Sequence, residues 1–184
     1  YSQTVLVGEI EIQDPIPDTI DFSTSEEWLV ANGADSSLAV VEALNGTYPV
    51  PNLEVLYSVL ETELGVISPG TNVTDASGMA TSQFTVKHKS GNATLKAFIN
   101  YRFLGNTTVV ERQCIQKIDH DTPFNLSSYN APGEMSVGAT APLIMAYEDE
   151  WGNPVDDRRI AEIVTFMVSC PLRDAVFLNA SYPF

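Results

Sequence analysis

The chain has 184 residues, 44% of them apolar and only 18% charged, with 24 acidic against 9 basic side chains and a formal net charge of −15. That is enough apolar material for a packed core, in one large domain or two small ones. A surface this acidic repels nucleic acid and anionic lipid, which excludes both as main partners. The acidic residues are spread along the chain and read as a solubility feature. No run approaches the ~18 apolar residues needed to cross a bilayer, so no membrane insertion is expected of this segment. The chain opens Tyr1-Ser2-Gln3 rather than on Met, which reads as a processed product or a fragment.

In chain order, the first element is a strand over Thr4 to Ile12. Glu26 to Val30 reads as a single helical turn, and nothing longer is helical. Leu53, Val55, Tyr57 and Val59 form a period-two set, with Leu56 and Leu60 blurring the other face. Ala80, Ser82, Phe84 and Val86 alternate with Thr81, Gln83, Thr85 and Lys87. Ala93, Leu95, Ala97, Ile99 and Tyr101 alternate with polar neighbours in the same way, and a further strand follows over 107–117. Trp28 and Tyr57 read as core. Turn signals punctuate these runs at Asn32-Gly33, Asn45-Gly46, Pro69-Gly70, Asp75 to Gly78, Gly91-Asn92 and Gly105-Asn106. Short strands with turns every 8–12 residues predict an all-β sandwich.

The chain also repeats itself. Shifted by 105 positions, Leu38 falls on Leu143, Pro49 on Pro154 and Val50 on Val155. After that turn, Glu54 to Tyr57 corresponds to Ile163 to Phe166, once the charged stretch Asp156 to Arg159 is allowed for. Upstream, Ile20 to Ser23 resembles Phe124 to Ser127. The same shift places Val5 on Val110, Ile10 on Ile115 and Asp14 on Asp119, so the first strand resembles the last strand of a repeat. The expected organisation is a terminal or donor strand (1–14), a whole sandwich (15–118) and a second, partial one (119–184) that lacks counterparts of the last three strands.

Six Asn-x-Ser/Thr triplets start at Asn45, Asn72, Asn92, Asn106, Asn125 and Asn179. Composition alone gives about two, so the excess points to an extracellular, glycosylated surface. Most fall near expected turns or strand ends, where a saccharide can be carried.

Several of these segments resemble a known family. The run Ala31 to Leu38, the turn at Pro49-Val50-Pro51, Thr74 to Ala80 and Gly91 to Ala97 occur in the order found in the invasin/intimin-type bacterial immunoglobulin-like repeat. The resemblance covers nearly all of 20–101 and is partial over 119–184, where Trp151 to Val155 and Val164 to Phe166 carry it. The second unit, with Asp119 to Pro123 at its entry and Asp149 to Val155 at its turn, looks like repeats in large surface proteins of methanogenic archaea. The resemblance implies tandem immunoglobulin-like sandwiches acting as a rigid spacer, adhesin or envelope component. It transfers no binding site.

No residue constellation calls for catalysis, a cofactor or a metal. His88, between Lys87 and Lys89, reads as an exposed loop residue. Asp119-His120-Asp121 pairs a histidine with carboxylates, yet no nucleophile motif accompanies it. Calcium ligation there, with Asp14 at the matching position, is weighed against a solvated acidic linker, and the linker is preferred. Asp149, Glu150, Asp156 and Asp157 read as a solvated rim. The two cysteines, Cys114 and Cys170, are disulfide candidates, with buried free thiols, an intrachain bridge and an interchain bridge all open. The expected function is non-catalytic: a structural protein of the cell exterior that forms or extends an envelope, sheath or filament. Its partners are other copies or adjoining repeats, and residues 1–14 are positioned in sequence to be donated to the next copy. The alternative is an adhesin-type module recognising a surface glycan or protein through loop aromatics such as Tyr48, Trp151, Tyr182 and Phe184.

Overall fold

The structure, a computed structural model, describes residues 16–103, 106–130, 138–141 and 144–155. Readings that fall on 1–14, on Asn179, Tyr182 and Phe184, on Cys170 and on the stretch 156–166 lie outside those residues.

Alternation of apolar and polar side chains produces strands and no helix among the described residues. The strands are β1 (Thr19–Thr24), β2 (Trp28–Val30), β3 (Ser36–Asn45), β4 (Tyr48–Pro49), β5 (Glu54–Val59), β6 (Gly65–Ser68), β7 (Thr71–Val73), β8 (Met79–Val86), β9 (Gly91–Phe103), β10 (Asn106–Asp119), β11 (Pro123–Asn130) and β12 (Ile144–Asp149). One sheet has the order β1-β3-β8-β6, with β4 paired to β3. A second has the order β2-β10-β9-β5-β7. Their inner faces meet in one core.

The period-two sets supply that core. Ala93, Leu95, Ala97 and Ile99 are fully buried from β9, and Ala80, Phe84 and Val86 from β8. Val41, Val55, Leu29 and Ile118 close it from the other strands. The Phe84 ring lies so close to Gly65 that a side-chain carbon on Gly65 would sit 2.3 Å from it. Gly78 is held at φ 75° against the Ala43 carbonyl, which only glycine tolerates. Its turn is fixed by Asp75, whose carboxylate accepts from the Ser77 amide, the Ser77 hydroxyl and the Met79 amide. These bonds hold the Asp75 carboxyl below its usual value.

Two expectations need correction. Glu26 to Val30 does not form a helical turn. Trp28 to Val30 instead pair in parallel with Lys117 to Asp119. Trp28 is not core either: it shares the outer face of its sheet with Lys117, whose ammonium lies 4.9 Å from the ring centroid. Tyr57 is core, 5% exposed, but its hydroxyl is buried without a hydrogen-bond partner among the described residues. Burial pushes that phenol's pKa up. Tyr57→Phe removes an unsatisfied polar atom at little cost in packing. It is expected to leave stability unchanged or to raise it by about 1 kcal/mol, read from urea unfolding midpoints.

The strands β11 and β12 form a separate two-stranded sheet whose register is broken at Pro123–Asn125 and Leu126–Ser128 and matches that of β1–β3 at two pairs. Asp21 pairs with Glu42 in β1–β3, and 105 residues on, Leu126 pairs with Tyr147. The turn after β12 is matched too. Val50 donates its amide to the Ala43 carbonyl, and Val155 donates to the Tyr147 carbonyl, one residue out of step.

Candidate functional site

The registers place two opposite ends on the sandwich. The Asn45–Tyr48 turn and Gly78 lie at one end. At the other, the loop 87–90 leaves β8, and β2 and β10 run out beside each other. The second unit docks at this latter end.

The local sequence builds the docking surface. The Asn32 side-chain carbonyl accepts from the Ala34 and Asp35 amides, and Asp35 in turn accepts from the Val30 amide. This tight turn delivers Ala31, fully buried, whose amide donates to the Asp119 carbonyl at 2.8 Å. Gly33, at φ 76°, leaves room for the His88 ring, which a side-chain carbon there would overlap.

Asp149 and Asn153 make the connection. Asp149 is 1% exposed and Asn153 is 6% exposed. One carboxylate oxygen of Asp149 accepts from the Trp151 and Asn153 amides, at 2.9 and 2.8 Å. The other accepts from the Asp121 amide at 3.0 Å and the Asn153 side-chain amide at 2.6 Å. Asn153 then reaches across to the first unit. Its Nδ2 donates to the His88 carbonyl and its Oδ1 accepts from the Ser90 amide, both at 2.8 Å. Alongside, the His88 and Trp151 rings stack with centroids 3.7 Å apart. Burial raises the Asp149 carboxyl, but the four hydrogen bonds outweigh it and leave the group below its usual value. Asp149 is therefore a buried, charged hub rather than part of the solvated rim expected from the sequence.

Asp119 and His120 are likewise buried and Asp121 is half-buried, so the stretch is not a solvated linker. Asp119 is 7% exposed and His120 is 1% exposed. The His120 Nδ1 faces the Asp121 carbonyl, which can only accept, so Nδ1 carries the proton. Its Nε2 lies 3.8 Å from an Asp119 carboxylate oxygen. The histidine is a packed element of the junction. Among the described residues no group of three His, Cys, Asp or Glu side chains is arranged to hold a metal ion. No helix there is long and apolar enough to cross a membrane.

The remaining sequence-derived sites are dispersed. Asn45, Asn92, Asn106 and Asn125 are exposed and Asn72 is half-buried. The Asn45 and Asn72 side-chain amides donate to the Ile16 and Thr81 carbonyls. Tyr48 is 76% exposed at the far end, while the half-exposed Trp151 is occupied by His88. Cys114 has no disulfide partner among the described residues and is half-buried against the core, and burial pushes its thiol pKa up to about 11. The thiolate is the reactive form, so at pH 7.5 folded protein should alkylate at Cys114 far more slowly than unfolded protein. Peptide mapping after timed iodoacetamide treatment checks this.

Sequence reading missed the Asp149–Asn153 connection. The available signal was the spacing of Asp149, Trp151 and Asn153, in which an Asp side chain caps the amides two and four residues on.

No family model matches the chain, and no curated protein matches it. Solved structures do. A C-terminal 282-residue fragment of intimin, in complex with the intimin-binding domain of the translocated intimin receptor, is 26% identical over 54% of this chain, with a TM-score of 0.42. The D0-D1 domain of intimin is 27% identical over 50% of this chain and 45% of its own, with a TM-score of 0.39. The Yersinia pseudotuberculosis adhesin InvE is 22% identical over 56% of this chain and 27% of its own, with a TM-score of 0.44. The likeness is to intimin- and invasin-type immunoglobulin-like domains. This chain spans 33% of the intimin fragment.

Proposed function

We propose that this chain is a non-catalytic structural segment of the cell exterior, in which immunoglobulin-like repeats hold one another at a fixed angle to extend an envelope, sheath or filament. The observation that carries this reading is the junction. A freely hinged pair of domains would leave the Asn153 side chain without fixed partners in the first unit, whereas here it is buried and bonded to the His88 carbonyl and the Ser90 amide. Buried polar groups with all partners in place favour one geometry, because every alternative leaves some of them unsatisfied. The sequon excess and the exposed Asn45, Asn92, Asn106 and Asn125 support an exterior location.

Copies join, in this proposal, by donation of residues 1–14 to the second unit of the next chain. The likeness of Val5, Ile10 and Asp14 to Val110, Ile115 and Asp119 supports that segment as a substitute last strand. A head-to-tail contact of this kind does not close and yields a filament. Light scattering on the full chain and on a version lacking residues 1–14 tests it. Long assemblies formed by the full chain alone are expected. Monomers in both cases contradict strand donation and leave a segment of a longer stalk.

A further inference from the structure

We propose that Asn92 carries an asparagine-linked saccharide whose first sugar seats in the cleft between the two units, against Trp28 and Pro154, and braces the junction. The cleft has a volume of about 210 Å³ and is lined by Trp28, Ser90, Asn92, Ile118, Asp119 and Pro154, with Gly91 beneath. That is smaller than the ~300–1,000 Å³ of pockets that enclose an independent ligand, and suits a ring tethered at its edge.

The strand registers make this placement specific to Asn92. Lys117 pairs with Asn92 on one side and with Trp28 on the other, so the three side chains form one row on the outer face of the sheet. Asn92 is exposed, and its side-chain amide makes no hydrogen bond among the described residues, whereas those of Asn45 and Asn72 are engaged. Asn92-Ala93-Thr94 is an acceptor triplet that begins two residues after the 87–90 loop, where the junction is made. A sugar ring has an apolar face that packs on an aromatic surface and hydroxyls that bond neighbouring polar groups. Lys117 lies over one face of Trp28, so the part of the indole that lines the cleft supplies the apolar surface, and Ser90 lies on the cleft wall. The second unit contributes Pro154, whose neighbour Asn153 is already bonded to Ser90. A saccharide at Asn92 therefore touches both units. Neither Asn106 nor Asn125 is among the residues that line this cleft.

This inference rests on the exterior location proposed above, and its test separates the two. Intact native cells are treated with an impermeant biotin reagent to show whether the chain is at the surface, and the chain isolated from those cells is mapped by mass spectrometry for occupancy of all the triplets. Hydroxyl-radical footprinting then compares oxidation of Trp28 in that protein and in Asn92→Gln isolated in the same way. The expected result is a saccharide on Asn92 and several-fold slower oxidation of Trp28 in the unsubstituted protein, with oxidation of the distant Tyr48 equal in both. Asn92 bare while other triplets are occupied overturns this inference alone. Asn92 occupied with Trp28 oxidised equally in both proteins overturns it as well. All triplets bare overturns the inference alone, whereas absence of the chain from the biotinylated surface fraction overturns the exterior location.

Discussion

Phe84→Ala is expected to be the most damaging single substitution in the first unit. Phe84 is fully buried on β8, between the β3 and β6 strands, with its ring over Gly65. Removing it loses the transfer free energy of the ring and leaves a cavity that rigid sheets on both sides cannot collapse to fill. Large-to-small changes of this kind cost about 3–5 kcal/mol. A domain of this size has a total stability of only about 5–15 kcal/mol, so the variant should lie near the edge of folding. Its thermal midpoint should fall by about 15 °C or more. Calorimetry or circular dichroism melts check this, and a fall of only a few degrees would mean that the two sheets pack less tightly than described.

Asp149→Ala should have the second largest effect, of a different kind. Four donors lose their acceptor together: the amides of Asp121, Trp151 and Asn153 and the side chain of Asn153. Each buried donor left without a partner costs about 1–3 kcal/mol. Freed from Asp149, Asn153 also loses the anchor that aims it at His88 and Ser90. The loss should fall on the junction and the β12 turn, while the first unit keeps its melting behaviour. Acid should imitate the substitution. The Asp149 carboxyl lies below its usual value when folded, so it contributes stability above the unfolded value of ~3.9, and that contribution fades as pH falls through the lower, folded value. Amide hydrogen exchange of Asp121, Ser90 and Asn153, measured for wild type and variant across that range, reads the effect directly. Unchanged protection in Asp149→Ala would contradict the role given to this residue.

The strands of the first unit were legible because each has one buried face. In β9, Ala93, Leu95, Ala97 and Ile99 alternate strictly and are all buried, and β8 behaves likewise. Where a segment's state depends on distant residues, local pattern misled. Trp28 to Val30 is too short to show a period, and it is a strand only because the end of β10, some 90 residues later, runs beside it. The same pairing puts Trp28 outward, under Lys117, although a tryptophan near an apolar run reads as core. The charged junction was misread for a related reason. Asp119, His120 and Asp149 have the composition of a solvated linker, yet all three are buried, Asp149 inside the hydrogen bonds of its own turn and Asp119 where β10 ends beside β2. The 105-residue shift holds in β11 and β12 at two pairs, Asn125–Glu148 and Leu126–Tyr147, and is lost by one residue past the bulge at Leu126–Ser128. The setting of Ile20 to Ser23 on Phe124 to Ser127 is one residue off, because a bulge leaves no trace in the local pattern.

The fixed angle between the two units is the claim on which the structural role depends. Residual dipolar couplings of backbone amides in weakly aligned protein test it most directly. A rigid junction gives couplings from 16–103 and 106–119 and from 123–130 and 144–155 that fit a single alignment tensor of one magnitude and orientation. Two tensors of different magnitude, one for each unit, would mean that the units reorient independently and would contradict it.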